Sequence, residues 1–182
     1  MNKQRAFNIT ELMITVAVLG ILVTVALPSL RYSLMNNRIT AKTNQLVSVF
    51  NYARSESIIG RRIKIDFIAS QGDDNEWGSG WLIWSDDNDN SKLDCTNDYD
   101  DKCEKLREFV FDDGIAIDGP DNLAQIVYDS RGRLTGKART LDMTFTFCLE
   151  NATAGDPPGR EVTIQLTGRT SLTNREYNCV TP

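Results

Sequence analysis

Residues 12–30, LMITVAVLGILVTVALPSL, run for nineteen positions without a charge, and Glu11 stands at their entrance. A stretch of that length can span a bilayer as a helix, and a carboxylate at its mouth is costly unless it has a task. From Arg31 the pattern becomes amphipathic. Ile39, Leu46, Phe50 and Ala53 recur at spacings of seven, four and three, with Asn36, Arg38, Lys42, Asn44 and Asn51 as the polar positions. Gly60 then suits a helix C-terminus. The pattern predicts one helix of roughly 50 residues, about 75 Å long, membrane-grade over 7–30 and packed on a domain over 31–60. Pro28 is expected to remove a hydrogen bond and bend it, and Gly20 to weaken it.

Beyond Gly60 the period falls to two. Ile63, Ile65 and Phe67 alternate with Arg62, Lys64 and Asp66; Met143, Phe145, Phe147 and Leu149 alternate with Thr144, Thr146 and Cys148; Val162, Ile164 and Leu166 alternate with Thr163 and Gln165. Each reads as a half-buried strand. GWLIWS (80–85), LREFVF (106–111) and QIVYD (125–129) read as further strands. The fold class is therefore α+β: a long N-terminal helix against antiparallel sheet, with 61–182 forming a β-rich head. About 150 residues after the apolar segment suffice for one domain with a core.

Composition narrows the chemistry. The formal net charge is −5, and the chain contains no histidine. An acidic domain is a poor general binder of nucleic acid, and the missing histidine removes the commonest general base and most zinc sites. An enzyme is not expected, nor is a cofactor. Four cysteines, Cys95, Cys103, Cys148 and Cys179, allow three disulfide pairings. Cys95 and Cys103 share one polar insertion and Cys148 and Cys179 flank the C-terminal quarter, so 95–103 with 148–179 is the expected pairing. A zinc site is the alternative, at spacings that are not C-x-x-C.

The start of the chain adds a motif. Met1 to Ala6, with Lys3 and Arg5, precede Phe7, and Glu11 follows four residues later in Phe7-Asn8-Ile9-Thr10-Glu11-Leu12-Met13. This resembles the class III signal of type IV prepilins, with Phe7, Glu11, Leu12 and Met13 coinciding, Ala6 in place of the usual glycine and Thr10 in place of an aliphatic residue. The GW-hydrophobic segment with SDDNDN at 80–90, IVYDSRGRL at 126–134 and LTGRTSL at 166–172 resemble the GspH/FimT group of minor pilins and pseudopilins. The resemblance implies a type IV pilin fold and a leader at 1–6, cut between Ala6 and Phe7 by a prepilin peptidase that methylates the Phe7 amine. Losing Lys3 and Arg5 would take the net charge to −7. It further implies that Glu11 pairs with the Phe7 amine of a neighbouring subunit during assembly. The implied partners are other major and minor pilins, the peptidase and an inner-membrane assembly platform. The implied location is a single-pass inner-membrane protein that becomes part of an extracellular pilus. A structural role in starting pilus assembly is the expected function, a GspH-like pseudopilin of type II secretion the first alternative.

Two further clusters carry candidate chemistry. Asp86, Asn88 and Asn90 have the alternating spacing of a calcium loop, but Ser91 and Asn97 stand where glycine and glutamate belong, so a solvated hairpin loop is favoured over a metal. Arg131, Arg133, Lys137, Arg139, Arg160, Arg169 and Arg175 form a basic C-terminal series. FimT-type pilins of DNA-uptake systems use a GRxR motif there. This chain has Gly168, Arg169, Thr170 and Ser171, lacking the second arginine, so a DNA-binding pilin is the remaining alternative and nucleic acid is not an expected partner.

Overall fold

The first element forms where nothing interrupts helical hydrogen bonding. In the computed structural model, which describes residues 8–60, 62–67, 77–95, 103–111, 114–120, 123, 125–136 and 142–179, helix α1 runs unbroken over Ile9–Ile58. Asn8 caps it: its side-chain oxygen accepts the Thr10 N–H at 3.3 Å and its carbonyl the Leu12 N–H at 3.1 Å. At the other end Gly60 takes φ 109° and donates its N–H to the Ser57 carbonyl, ending the helix as expected of a glycine there. Pro28 lies within α1, which continues through it. A proline has no N–H to offer the carbonyl one turn back, so the helix is one backbone bond short at that turn.

Nine strands follow among the described residues: β1 Ile63–Phe67, β2 Gly80–Ser85, β3 Lys105–Val110, β4 Ile115–Asp118, β5 Gln125–Tyr128, β6 Leu134–Thr135, β7 Met143–Leu149, β8 Gly159–Ile164 and β9 Thr170–Tyr177. They make two antiparallel sheets among the described residues, ordered β3-β2-β1-β5-β6 and β4-β7-β8-β9. Helix α1 packs on β1 and β5 of the first sheet and on β7, β8 and β9 of the second. One stripe thus closes both sheets. Ile39, Leu46, Val49, Phe50 and Ala53 are buried against Ile63, Ile65, Ile83, Ile126, Phe145, Phe147, Val162 and Ile164. Phe145 joins the layers, its ring 5.5 Å from Phe50 and 5.2 Å, edge-on, from Trp77. Each of these large side chains contributes roughly 1.5–3 kcal/mol by leaving water.

Two polar alternations were misread from the sequence. Lys42, expected on the solvent face of α1, is buried, its ammonium 3.2 Å from the centroid of the Phe111 ring. The stripe is wider than an apolar count suggests because a lysine stem covers apolar surface while its charge faces an aromatic ring. Lys64, expected to point to water, is 4% exposed. β1 is the central strand of a five-stranded sheet, and on its outer face Lys64 is covered by the Trp84 ring and the Asp86 carboxylate. The sequence also places the strand of 106–111 one residue late, begins β8 three residues late, and does not show β4 or the length of β9.

Candidate functional site

Among the described residues, the N-terminal half of α1 packs against no other element. Every residue from Asn8 to Leu34 is exposed, including Ile9, Met13, Leu19, Ile21 and Val25. Glu11 sits on the third residue of the helix, in the first turn, where a carboxylate complements the helix dipole. Among the described residues its carboxylate makes no hydrogen bond or ion pair. A charge at the end of an apolar rod about 40 Å long is therefore available to something outside the molecule. Length and composition allow α1 to cross a membrane. Ala6 and Phe7 lie outside the described residues.

The acidic loop after β2 turns its first residue inward. Asp86 is 3% exposed and accepts the Lys64 ammonium at 2.7 Å, while Lys64 lies 4.8 Å over the Trp84 ring. The Ser91 N–H reaches both Asp86 oxygens, at 3.1 and 3.3 Å. Burial alone would raise the Asp86 carboxyl, but the Lys64 hydrogen bond and charge, with the Ser91 and Asn90 N–H groups, outweigh it and hold it below the usual carboxylate range. The oxygens of Asn88 and Asn90 accept the N–H groups of Asn90 and Lys92, and their amides donate to Asp94. Asp86, Asn88 and Asn90 therefore do not converge on a common cation point: each is occupied by donors of its own loop or of β1. Among the described residues no group of three or more acidic or cysteine side chains could hold a metal ion. Glu104, 6% exposed, clamps the loop's neck by accepting the N–H groups of Asp87 and Asp94. Sequence reasoning missed both Lys64 and Glu104; the one available signal was a glutamate placed beside a loop cysteine.

The disulfides are Cys95–Cys103 and Cys148–Cys179, with no free cysteine among the described residues. The first closes the neck that Glu104 clamps. The second ties β7 to the segment after β9, and Gly159 makes room for it: a Cβ there would stand 2.5 Å from the Cys179 sulfur and 2.5 Å from the Phe147 carbonyl oxygen.

The arginines do not form one patch of free charge. Arg133 is held by Asp129 at 3.2 Å, and Arg54 donates to the Gly132 carbonyl at 3.1 Å. Burial acts to raise the Asp129 carboxyl, but the N–H groups of Arg133 and Arg131 and the Arg133 guanidinium prevail and lower it. Arg160 reaches Asn36 of α1 at 3.4 Å. Arg169 is exposed, in the turn before β9, and that turn meets the Arg133 turn where the Leu134 N–H donates to the Leu166 carbonyl at 3.2 Å. Lys137 and Arg139 lie outside the described residues.

These contacts orient the head along α1. The β8 start and the 150–158 loop lie by Asn36, and the β8–β9 turn lies by Asn51, to which Thr170 donates. The Arg131–Arg133 turn lies by Arg54 and Ile58. The head therefore has a base, where the exposed half of α1 leaves it, and an apex at the helix end.

With this geometry in hand, the family model described as Type II transport protein GspH matches residues 42–168. The crystal structure of the type IV minor pilin FimU of Pseudomonas aeruginosa (strain PAO1), in space group P21, is similar at TM-score 0.53 and 21% identity, over 76% of this chain and 90% of that one. Its P65 crystal form gives TM-score 0.51 and 22% identity, over 74% and 91%. The minor pseudopilin EpsH from the Type 2 Secretion System of Vibrio cholerae gives TM-score 0.50 and 14% identity, over 74% and 94%. At such identities the likeness establishes a shared fold, the pilin fold of one long helix against antiparallel sheets. No match was found among curated proteins.

Proposed function

The chain belongs to the GspH family, and on that premise we propose that it is a minor type IV pilin, a structural subunit that enters the pilus near its tip and helps to start its assembly. Family and fold are those of structural pilins rather than enzymes. The observation that carries the proposal is the bare half of α1: apolar on every side from Leu12 to Leu30, exposed throughout, and carrying Glu11 without a partner. In a membrane that surface faces lipid; on leaving it, the surface has to pack against the helices of other subunits. A prepilin peptidase exposes the Phe7 amine. Two opposite charges in a low-dielectric bundle relieve one another, so a subunit that sets its Phe7 amine against a neighbour's Glu11 removes the cost of both. The inner-membrane assembly platform supplies the pool from which the subunit is drawn.

Mass spectrometry of the mature chain should show N-methylated Phe7 as the first residue, and Glu11→Gln should leave that processing intact while removing the chain from sheared pili. A mature chain beginning after the apolar segment, or normal incorporation of Glu11→Gln, refutes the reading. A second reading, a minor pseudopilin of type II secretion, is favoured by the description of the family itself. Loss of protein secretion with pili unaffected, on deleting this chain, selects it.

A further inference from the structure

Gly132 is the hub of the apex. A Cβ there would stand 3.0 Å from Arg54 and 3.1 Å from Ile58, both on the last turns of α1. A Cβ at Gly168 would run into the Gly132 carbonyl, so the turns of 129–133 and 165–169 are pressed together. Both glycines take positive φ, 70° and 76°, a conformation that lets the turns meet this closely. Arg54, Ile58, Arg131 and Arg169 are thereby gathered around one backbone contact. Ile58 and its neighbour Ile59 are 55% and 77% exposed. Asp129 answers Arg133, and Arg54 donates to the Gly132 carbonyl. Arg131 and Arg169 are exposed and meet no carboxylate among the described residues. A basic patch carrying two bared isoleucines thus stands on a chain whose formal net charge is −5.

We propose that this apex is the seat of a different pilin, the one drawn out of the membrane just ahead, and that the seated surface is acidic with apolar side chains among its carboxylates. Position excludes the bilayer that the stalk spans as the occupant. Ile58 lies 28 residues beyond Leu30 on a continuous helix, about 42 Å along its axis. Chemistry disfavours a nucleic acid. Isoleucines give bases nothing to stack on, and the nearby Tyr128 ring, which lies against Gly168, is buried. Aliphatic side chains that lose water at the middle of a contact, with charges that steer and orient it, are how proteins dock on proteins. Arg131 and Arg169 set the sign of the partner: they call for carboxylates. Direction sets which pilin it is. A subunit leaves the membrane head first, so its apex meets the subunit that left before it. A minor subunit near the tip has another pilin there rather than a copy of itself. The inference rests on the proposed incorporation into a filament.

The test uses the full chain in cells, with a photo-cross-linking residue in place of Ile59 or, in a second variant, of Ser130, both exposed. Illuminated, sheared filaments should give one adduct of this chain with a different pilin, and mass spectrometry of the linked peptide should place it on an Asp- or Glu-bearing surface. Arg131→Glu with Arg169→Glu should lower the yield of that adduct about tenfold, whether by loss of the link or of the chain from filaments. The unfolding midpoint of the head should stay where it is, since neither arginine has an ion pair among the described residues to lose. Filaments that contain the variants without an adduct from either position overturn the inference and leave the filament reading intact. So does an adduct with a second copy of this chain, with DNA or with polysaccharide, or one that survives the charge reversal. Absence of the unsubstituted chain from filaments overturns both.

Discussion

The two halves of α1 are one helix with opposite dependencies. From Ile39 onward, each buried side chain packs within the same chain, against one of two sheets; from Asn8 to Leu30, none is buried among the described residues. The upper half was placed by folding and the lower half waits for assembly. A side chain's role along this helix is therefore set by whether its neighbours are intramolecular, since both halves are rich in apolar residues. Perturbing the head should register in unfolding, and perturbing the stalk should register in incorporation alone.

The sharpest break of the comparison is a charge placed in each half. Phe50→Asp buries an unpaired carboxylate between the sheets and should abolish a cooperative unfolding transition, followed by the fluorescence of the three tryptophans. Leu22→Asp, on the exposed half, should leave that transition unchanged and should fail only in membrane insertion or pilus entry. A shorter chain beginning at Arg31 should unfold at the denaturant midpoint of the full head.

The buried ion pair gives the next largest effect. Asp86→Asn leaves Lys64 buried without its counter-charge and should cost about 3–5 kcal/mol in equilibrium unfolding, with no counterpart in any stalk substitution. The pH dependence follows from the lowered carboxyl. The unfolded chain binds a proton more readily than the folded one, so the pair's contribution is complete above the ordinary carboxylate value of 3.8 and is lost as pH falls below it. Acid unfolding of Asp86→Asn should therefore be flatter below about pH 4 than that of the parent.

Disulfides provide a graded comparison inside the head. Cys148–Cys179 closes 31 residues and Cys95–Cys103 closes 8. In the chain-entropy account, Cys148→Ser should cost about 3–4 kcal/mol and Cys95→Ser about 2–3 kcal/mol, read as separate unfolding midpoints. Gly159→Ala should cost about 1–3 kcal/mol, a range that overlaps that of the shorter disulfide, because its methyl crowds the Cys179 sulfur and the Phe147 carbonyl oxygen.

The smallest effect belongs to Arg169. It is exposed and free of ion pairs among the described residues, so Arg169→Ala should leave stability within about 0.5 kcal/mol. Duplex DNA should bind the parent only in the non-specific range, about 10⁻⁴–10⁻⁶ M at physiological salt. Submicromolar binding abolished by Arg169→Ala makes the DNA-receptor alternative the better reading.

Local chemistry alone determined a good deal. The uncharged run from Leu12 to Leu30, the spacing of Ile39, Leu46, Phe50 and Ala53, and Gly60 set the helix and its two regimes, because periodicity and caps act within a few residues of one another. Period-two alternation located β1, β7 and the later part of β8, the runs GWLIWS and QIVYD marked β2 and β5, and the cysteine spacing marked the two linked pairs. β4, with four residues, was too short to announce itself, and β9 is long only because β8 lies beside it. Only the tertiary structure decided which polar residues are interior. Lys42 and Lys64 alternate like surface residues, and their burial depends on Phe111 and Asp86, which arrive from 69 and 22 positions away. It likewise decided that Arg160 reaches Asn36 of the helix and that Arg54 reaches the Gly132 carbonyl. Such facts are long-range by nature: a charge, a cavity or an exposed patch is defined by what the rest of the chain brings near it, and no local pattern carries that information.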